Sequence, residues 1–283
     1  MATTWLDLPT APALPGLFAR AALRRGVKGQ TLPDFGLRTS ISVEPKKLER
    51  YRQLCGLSDD GHLPPTYPHI LAFPLQMQLL TDASFPFPLL GLVHVENRIR
   101  GVRPLGGLGP FTVSVHVENL QPHDKGAVFS LITRLEDQLG LLWEGDSRIL
   151  CRALKLPGQP AERGEESPLP LEDIAHWQAP ADIGRRYAAV AGDYNPIHLT
   201  AVTAKLFGFP RAIAHGLWNK ARTLAALGDR VPPAGYVVEV RFQKPVLLPS
   251  AVTLQASNPA SSGQFKLIGN HDMPHMSGSW RVI

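Results

Sequence analysis

Cysteine is nearly absent from this chain: Cys55 and Cys151 are its only two. They lie far apart and match no metal-ligand spacing such as C-x-x-C, so a reduced, cytoplasmic protein is the simplest reading and zinc is not expected. Long apolar runs are missing as well. No stretch approaches the roughly 18 apolar residues of a membrane-spanning helix, so no membrane span is expected. The first residues carry Asp7 and several prolines where an export signal would need a basic start and an apolar block. Arg24 and Arg25 are followed by GVKGQTLPDFG, which has no apolar stretch, and read as solvated arginines. A GxGxxG phosphate loop is also lacking, which leaves nicotinamide and ATP without support. Basic residues are scattered, with no zinc-finger spacing, continuous basic helix or aromatic–basic motif, so nucleic acid is not an expected partner.

What is present suits a packed, water-exposed protein. Hydrophobic residues make up 44% and charged residues 19% of 283 residues, enough apolar surface for a sizeable core. A net charge of +5 favours anionic small molecules weakly. Domains commonly run to about 100–150 residues, so two are expected. Residues 156–172, PGQPAERGEESPLPLED, have the proline, glycine and charge content of a surface linker. The division expected is therefore 1–155, 156–172 and 173–283. Residues 1–40 read as an arm with one short helix, LFARAALRR, packing through Leu17, Phe18, Ala21 and Leu23.

The two sides of the linker repeat one order of elements. In the first, residues 69–80 read as an apolar helix and 91–99, 111–120, 126–137 and 141–154 as strands. In the second, residues 215–227 are the apolar helix, stopped by Gly228, and 236–248, 251–257, 263–269 and 276–283 are the strands. VHVENRIRGVRPL and VVEVRFQKPVLL occupy matching places. A largely apolar helix followed by an antiparallel meander, performed twice, is a two-layer α+β design in which each sheet must wrap its helix.

Chemistry concentrates in residues 187–221, YAAVAGDYNPIHLTAVTAKLFGFPRAIAHGLWNKA. Asn195 followed by Pro196 reads as a helix cap and first helical residue. That puts His198 in the first turn and Asp193 just before it, so a carboxylate and an imidazole face one pocket. The next helix starts near His215 and Gly216, where free backbone N–H groups and the positive dipole end suit a developing oxyanion. Tyr187 reads as a wall aromatic and is left out of the site. Among Arg185, Arg186, Lys205, Arg211, Lys220, Arg241 and Lys244, about two are expected to meet phosphates and the others to be solvated. The GDS at 145–147 reads as coincidence, and HDMPH at 271–275 as a polar loop rather than a metal set.

This segment resembles the signature of the MaoC-like, (R)-specific enoyl-CoA hydratase family: an aromatic residue, G-D-x-N-P-[aliphatic]-H and a small residue six positions on. Tyr187, Gly192, Asp193, Asn195, Pro196, Ile197, His198 and Ala204 match it, as does the A-H-G of Ala214, His215 and Gly216. Ala191 stands where the family usually has serine or another small residue. The resemblance implies a tandem (double) hot-dog fold, each half a curved antiparallel sheet around a central helix. It also implies reversible hydration of trans-2-enoyl thioesters to (3R)-3-hydroxyacyl thioesters. Asp193, His198 and Gly216 would be catalytic, Asn195 and His215 would bind substrate, and no metal or other cofactor would be needed. Acyl-CoA or an acyl carrier protein would bring the thioester. The first half, lacking the motif, would be a degenerate copy that supports the site and makes room for the acyl chain. Oligomeric state stays open, a homodimer included. Two rival readings are a hot-dog acyl-CoA thioesterase and a non-catalytic acyl-thioester-binding protein.

Overall fold

The computed structural model describes residues 3–161 and 167–283. In chain order the elements are β1 (Thr4–Asp7), α1 (Leu14–Leu23), β2 (Phe35–Ile41), α2 (Pro45–Cys55), α3 (Tyr67–Leu80), β3 (Leu92–Gly101), β4 (Phe111–His123), β5 (Gly126–Asp137) and β6 (Gly140–Cys151). Then come β7 (Glu172–Ala179), α4 (Ile183–Ala191), α5 (Ala201–Lys205), α6 (Gly216–Leu227), β8 (Tyr236–Phe242), β9 (Ser250–Ala256), β10 (Ser262–Ile268) and β11 (Pro274–Val282). Both apolar helices and all eight strands read from alternation are present, with ends shifted by a few residues.

The strands form one sheet of 11 in the order β1-β2-β4-β5-β6-β3-β8-β11-β10-β9-β7. Read outward from its centre, β3-β6-β5-β4-β2 is mirrored by β8-β11-β10-β9-β7, so the sequence repeat is a structural one. The seam is the antiparallel pair β3–β8, with Asn97 opposite Val240 and Ile99 opposite Val238. Those two strands hold the matching VHVENRI and VVEVRF segments, which explains why the repeat was visible there. In the first half, α3 packs on β2, β4 and β5, and its Tyr67, Ile70, Leu75 and Leu79 are buried. This is the expected α+β hot-dog pattern. Among the described residues, no helix is long and apolar enough to cross a membrane.

Three expectations are corrected. Residues 35–41 do not belong to a separate arm: β2 pairs with β4 and is the outer hot-dog strand of the first half, with β1 added in parallel beyond it. Its FGLRTSI sequence alternates weakly, which hid it. In α1, Leu17 and Ala21 are buried as foreseen, but Leu23 is 83% exposed because the helix ends there and its side chain passes the edge of the body. The helix α6 is not apolar all round: Asn219, Lys220 and Thr223 are buried on it. The Lys220 Nζ donates to Asn97 O at 3.1 Å, Asn97 Oδ1 at 2.7 Å and Val238 O at 3.3 Å, and so ties α6 to the central seam. Burial holds its pKa well below the usual lysine range, opposed by the charge of Glu239.

The helix α6 also reaches the first half. Trp218 Nε1 donates to Leu54 O at 3.2 Å and an Arg222 N–H to Cys55 O at 3.2 Å, both at the end of α2. Of the linker 156–172, residues 162–166 lie outside the described residues. Its last part is tied to β10, since Leu169 N donates to Gln264 Oε1 at 3.1 Å, and Glu172 already begins β7. Cys55 and Cys151 are both buried and free, and burial pushes the Cys55 thiol up to about 12.

Candidate active site

The G-D-x-N-P-x-H segment folds by local rules. Gly192 caps α4 in the left-handed conformation, at φ 81°, so the chain turns sharply before Asp193. The Asp193 carboxylate accepts from Asn195 N–H at 3.2 Å and braces the turn. Asn195 then caps a short 3-10 helix, Pro196–His198, its side-chain oxygen facing Ile197 N at 3.5 Å. The cap reading of Asn195 and the first-turn position of His198 are thus both found. Gly184 on α4 lies against this turn so closely that a Cβ there would come within 1.9 Å of the His198 carbonyl oxygen.

His198 is buried, and its Nδ1 lies 2.8 Å from the carbonyl oxygen of Ile213. A carbonyl only accepts, so Nδ1 carries the proton and Nε2 is left with its lone pair. Burial lowers the His198 pKa, with opposition from the Asp193 charge and the bond to Ile213, so the ring is neutral near pH 7. His215 stacks on it, with ring centroids 3.6 Å apart and planes at 26°. On its Nε2 side His215 donates to the Asp193 carbonyl at 3.0 Å and stands 3.6 Å from Oδ2 of the same residue. Tyr187, buried as expected of a wall aromatic, has its ring 4.8 Å from that of His215. His215 therefore fixes the Asp193 backbone, and burial together with the neighbouring His198 holds its own pKa well below 6.5.

These residues face a cavity of about 570 Å³ lined by both halves. The second half supplies Asp193, Asn195, His198, His215 and Gly216 to its walls; the first supplies Phe73, Met77, Leu80, Leu131 and Ile149. Gly216 is the first residue of α6, with His215 as its N-cap, so its N–H has no partner within the helix. A Cβ at 216 would meet the Phe242 ring at 2.9 Å, so packing also demands glycine there. All five residues singled out from the sequence are thus brought to one wall.

Asp193, His198 and His215 offer ligand atoms within 4.8 Å of one another, among the described residues the one group that could be asked to hold a metal ion. One nitrogen of each ring is committed to a backbone carbonyl, which leaves Nε2 of His198 and Nδ1 of His215 uncommitted among the described residues.

A MaoC-like domain model matches residues 155–268. The 3-hydroxyacyl-thioester dehydratase X of Mycobacterium tuberculosis is 38% identical over 216 residues, 76% of either chain. The chain belongs to the MaoC-like dehydratase family. The peroxisomal enoyl-CoA hydratase 2 of Arabidopsis thaliana is 25% identical over 187 residues, covering 58% of this chain and 57% of that one. The crystal structure of HtdX from Mycobacterium tuberculosis superposes with a TM-score of 0.76 at 32% identity, covering 88% of this chain and all of that one.

Around the site of this MaoC-like chain, the flanking cations sort clearly. Lys220 is buried at the seam; Arg185 donates to Leu199 O at 3.0 Å, Arg186 is 3.9 Å from Asp182, and Arg241 is 3.8 Å from Glu96. Lys244 lines the cavity, and Lys205 and Arg211 are exposed beside the lining residues Phe207 and Phe209. His275 is not in a polar loop: it lies in β11, is buried, lines the cavity and donates to Lys244 O at 2.9 Å. The sequence reading passed over Gly184 and Phe242, whose parts rest on contacts across the fold. An isolated glycine in the helical run IGRRYAAVA was the one available signal for the first.

Proposed function

We propose that this chain is a cytoplasmic hydro-lyase that adds water reversibly to trans-2-enoyl thioesters, giving (3R)-3-hydroxyacyl thioesters, in fatty acyl metabolism. The observation that carries the reading is the fixed tautomer of His198: with Nδ1–H spent on Ile213, Nε2 presents a lone pair beside the Asp193 carboxylate at the cavity wall. One water held between these groups loses a proton as its oxygen attacks C3, and a proton is delivered to C2. The Gly216 N–H, at the positive end of α6, stabilises the charge that develops on the thioester oxygen. No redox change occurs, because the thioester acidifies C2 and hydrogen moves only as protons, so a metal is not called for. The names of the dehydratase and hydratase relatives support this reaction over hydrolysis.

The carrier is anionic, CoA or an acyl carrier protein. Residues 194–228 contain no Asp or Glu, and Lys205, Arg211 and Lys244 have no ion pair among the described residues. The first half acts as a degenerate copy whose apolar side chains house the acyl group. The test is a panel of trans-2-enoyl-CoAs assayed with and without chelator, separating water addition from C–S cleavage in the products. Hydration unaffected by chelator is expected. Thioester cleavage as the main outcome, or activity that needs an added metal, would defeat the proposal.

A further inference from the structure

An acyl chain that enters from the catalytic wall does not meet apolar side chains only. One turn along α6 from Gly216, about 4.5 Å of rise, Asn219 faces the same cavity. It is 6% exposed, and its Oδ1 has no hydrogen-bond partner among the described residues. Across the cavity stand Ser147 of β6 and His94 of β3. Ser147 accepts from Asn97 Nδ2 at 3.2 Å, and Asn97 in turn accepts from the buried Lys220 Nζ at 2.7 Å. The Ser147 hydroxyl proton is thus left to donate, at the end of a chain that begins on Lys220.

His94 owes its place to an irregularity. The β3–β6 register slips between His94 and Glu96, leaving Asn97 opposite Ser147 but His94 opposite Ile149. Ser147 and Ile149 point to one face, so the bulge turns His94 onto that face, which an unbroken strand would have denied it. Its Nε2 is covered by protein and has no partner, while the Glu96 backbone holds the other ring nitrogen. The ring rests 5.1 Å from that of Phe242. Three polar groups from three elements thus line the channel, together with the apolar Met77, Leu80 and Leu131.

A wholly apolar chain passing this point leaves Asn219 Oδ1 and His94 Nε2, both acceptors, unsatisfied, whereas a hydroxyl on the chain would donate to one of them and accept from Ser147. Resting on the hydratase reading above, we infer that the acyl channel recognises a hydroxyl group carried by the acyl chain beside Asn219, Ser147 and His94. Neither the reaction nor the carrier requires such a group.

The experiment compares trans-2-octenoyl-CoA with its monohydroxylated counterparts, the hydroxyl walked along the carbons beyond C3. At least one oxygenated chain should have a kcat/KM about tenfold above that of the plain chain, the effect of one buried hydrogen bond. Asn219→Leu and, separately, His94→Phe should each bring that ratio towards one, with circular dichroism to check folding. Calorimetric binding of the saturated acyl-CoAs, plain and hydroxylated, to the unaltered protein reads the same preference without turnover. Discrimination in binding with no hydration would sink the hydratase reading alone. Hydration with the plain chain preferred at every hydroxyl position, or a preference unchanged in both folded variants, would overturn the inference.

Discussion

Asp193 and His198 owe their chemistry to the neighbours that position them. The Ile213 carbonyl selects the His198 tautomer, and the His215 ring, wedged between His198 and Tyr187, holds the Asp193 carbonyl. If the two groups hold one water, they act as a unit. Asp193→Asn and His198→Ala should each lower kcat at least about 100-fold with the fold intact, and the double variant should be hardly worse than the worse single one. Steady-state kinetics beside thermal melting read this directly. Multiplying losses, or near-normal kcat in either folded single variant, would show that the pair is not the acid–base unit. At this scale the sequence was highly legible: all of Asp193, Asn195, His198, His215 and Gly216 line one cavity. His215 adds something the spacing could not show, since its Nε2 is directed at a backbone carbonyl and its ring faces are covered by two other rings.

Among the elements, α4 and α6 position the site and each depends on one residue that looks ordinary in sequence. Gly184→Ala would set a Cβ against the His198 carbonyl, a backbone atom that cannot swing aside. The 3-10 turn must then move. Such a displacement should cost about 1–3 kcal/mol of stability and lower kcat roughly 10- to 100-fold. A folded Gly184→Ala variant with unchanged kcat and melting temperature would contradict the close packing. Lys220→Met keeps the stem but removes the donor shared by Asn97 and Val238. Relief from burying a polar amine offsets part of the loss, yet the Asn97 amide oxygen is stranded, so a net destabilisation of about 1–3 kcal/mol is expected by denaturant melt. Strands with clear alternation were readable in advance, whereas β2, β7 and α2 were not. FGLRTSI and EDIAHWQA lie at outer places in the sheet where alternation is imperfect, and α2 is a strongly charged helix that buries Leu48, Tyr51 and Cys55.

For the whole molecule, several buried or half-buried histidines make stability depend on pH. Burial lowers His69 to about 4 and His94 to about 3, and lowers His198 and His215 as well. Each is neutral when folded and takes a proton near pH 6.5 when unfolded, so in that interval the unfolded state binds more protons. Their contribution is whole above about pH 6.5 and is lost as pH falls towards about 4 for His69 and about 3 for His94. Melting at pH 5 should therefore lie below melting at pH 7, by up to about 2 kcal/mol per histidine, in a range above the titration of most carboxylates. His69→Gln should flatten that slope, and a pH-independent melt between these limits would contradict the burial of neutral rings. Sequence alone determined the repeat, the two wrapped helices, and the carboxylate–imidazole segment, because alternation, caps and a dense local motif are short-range signals. Tertiary structure decided the rest. The joining of the halves into one sheet through β3 and β8, the burial of Lys220 there, the tautomer of His198 and the polar waist of the channel all depend on groups from 15 to about 145 residues apart. Contacts over such separations are set by packing, and no local pattern encodes them.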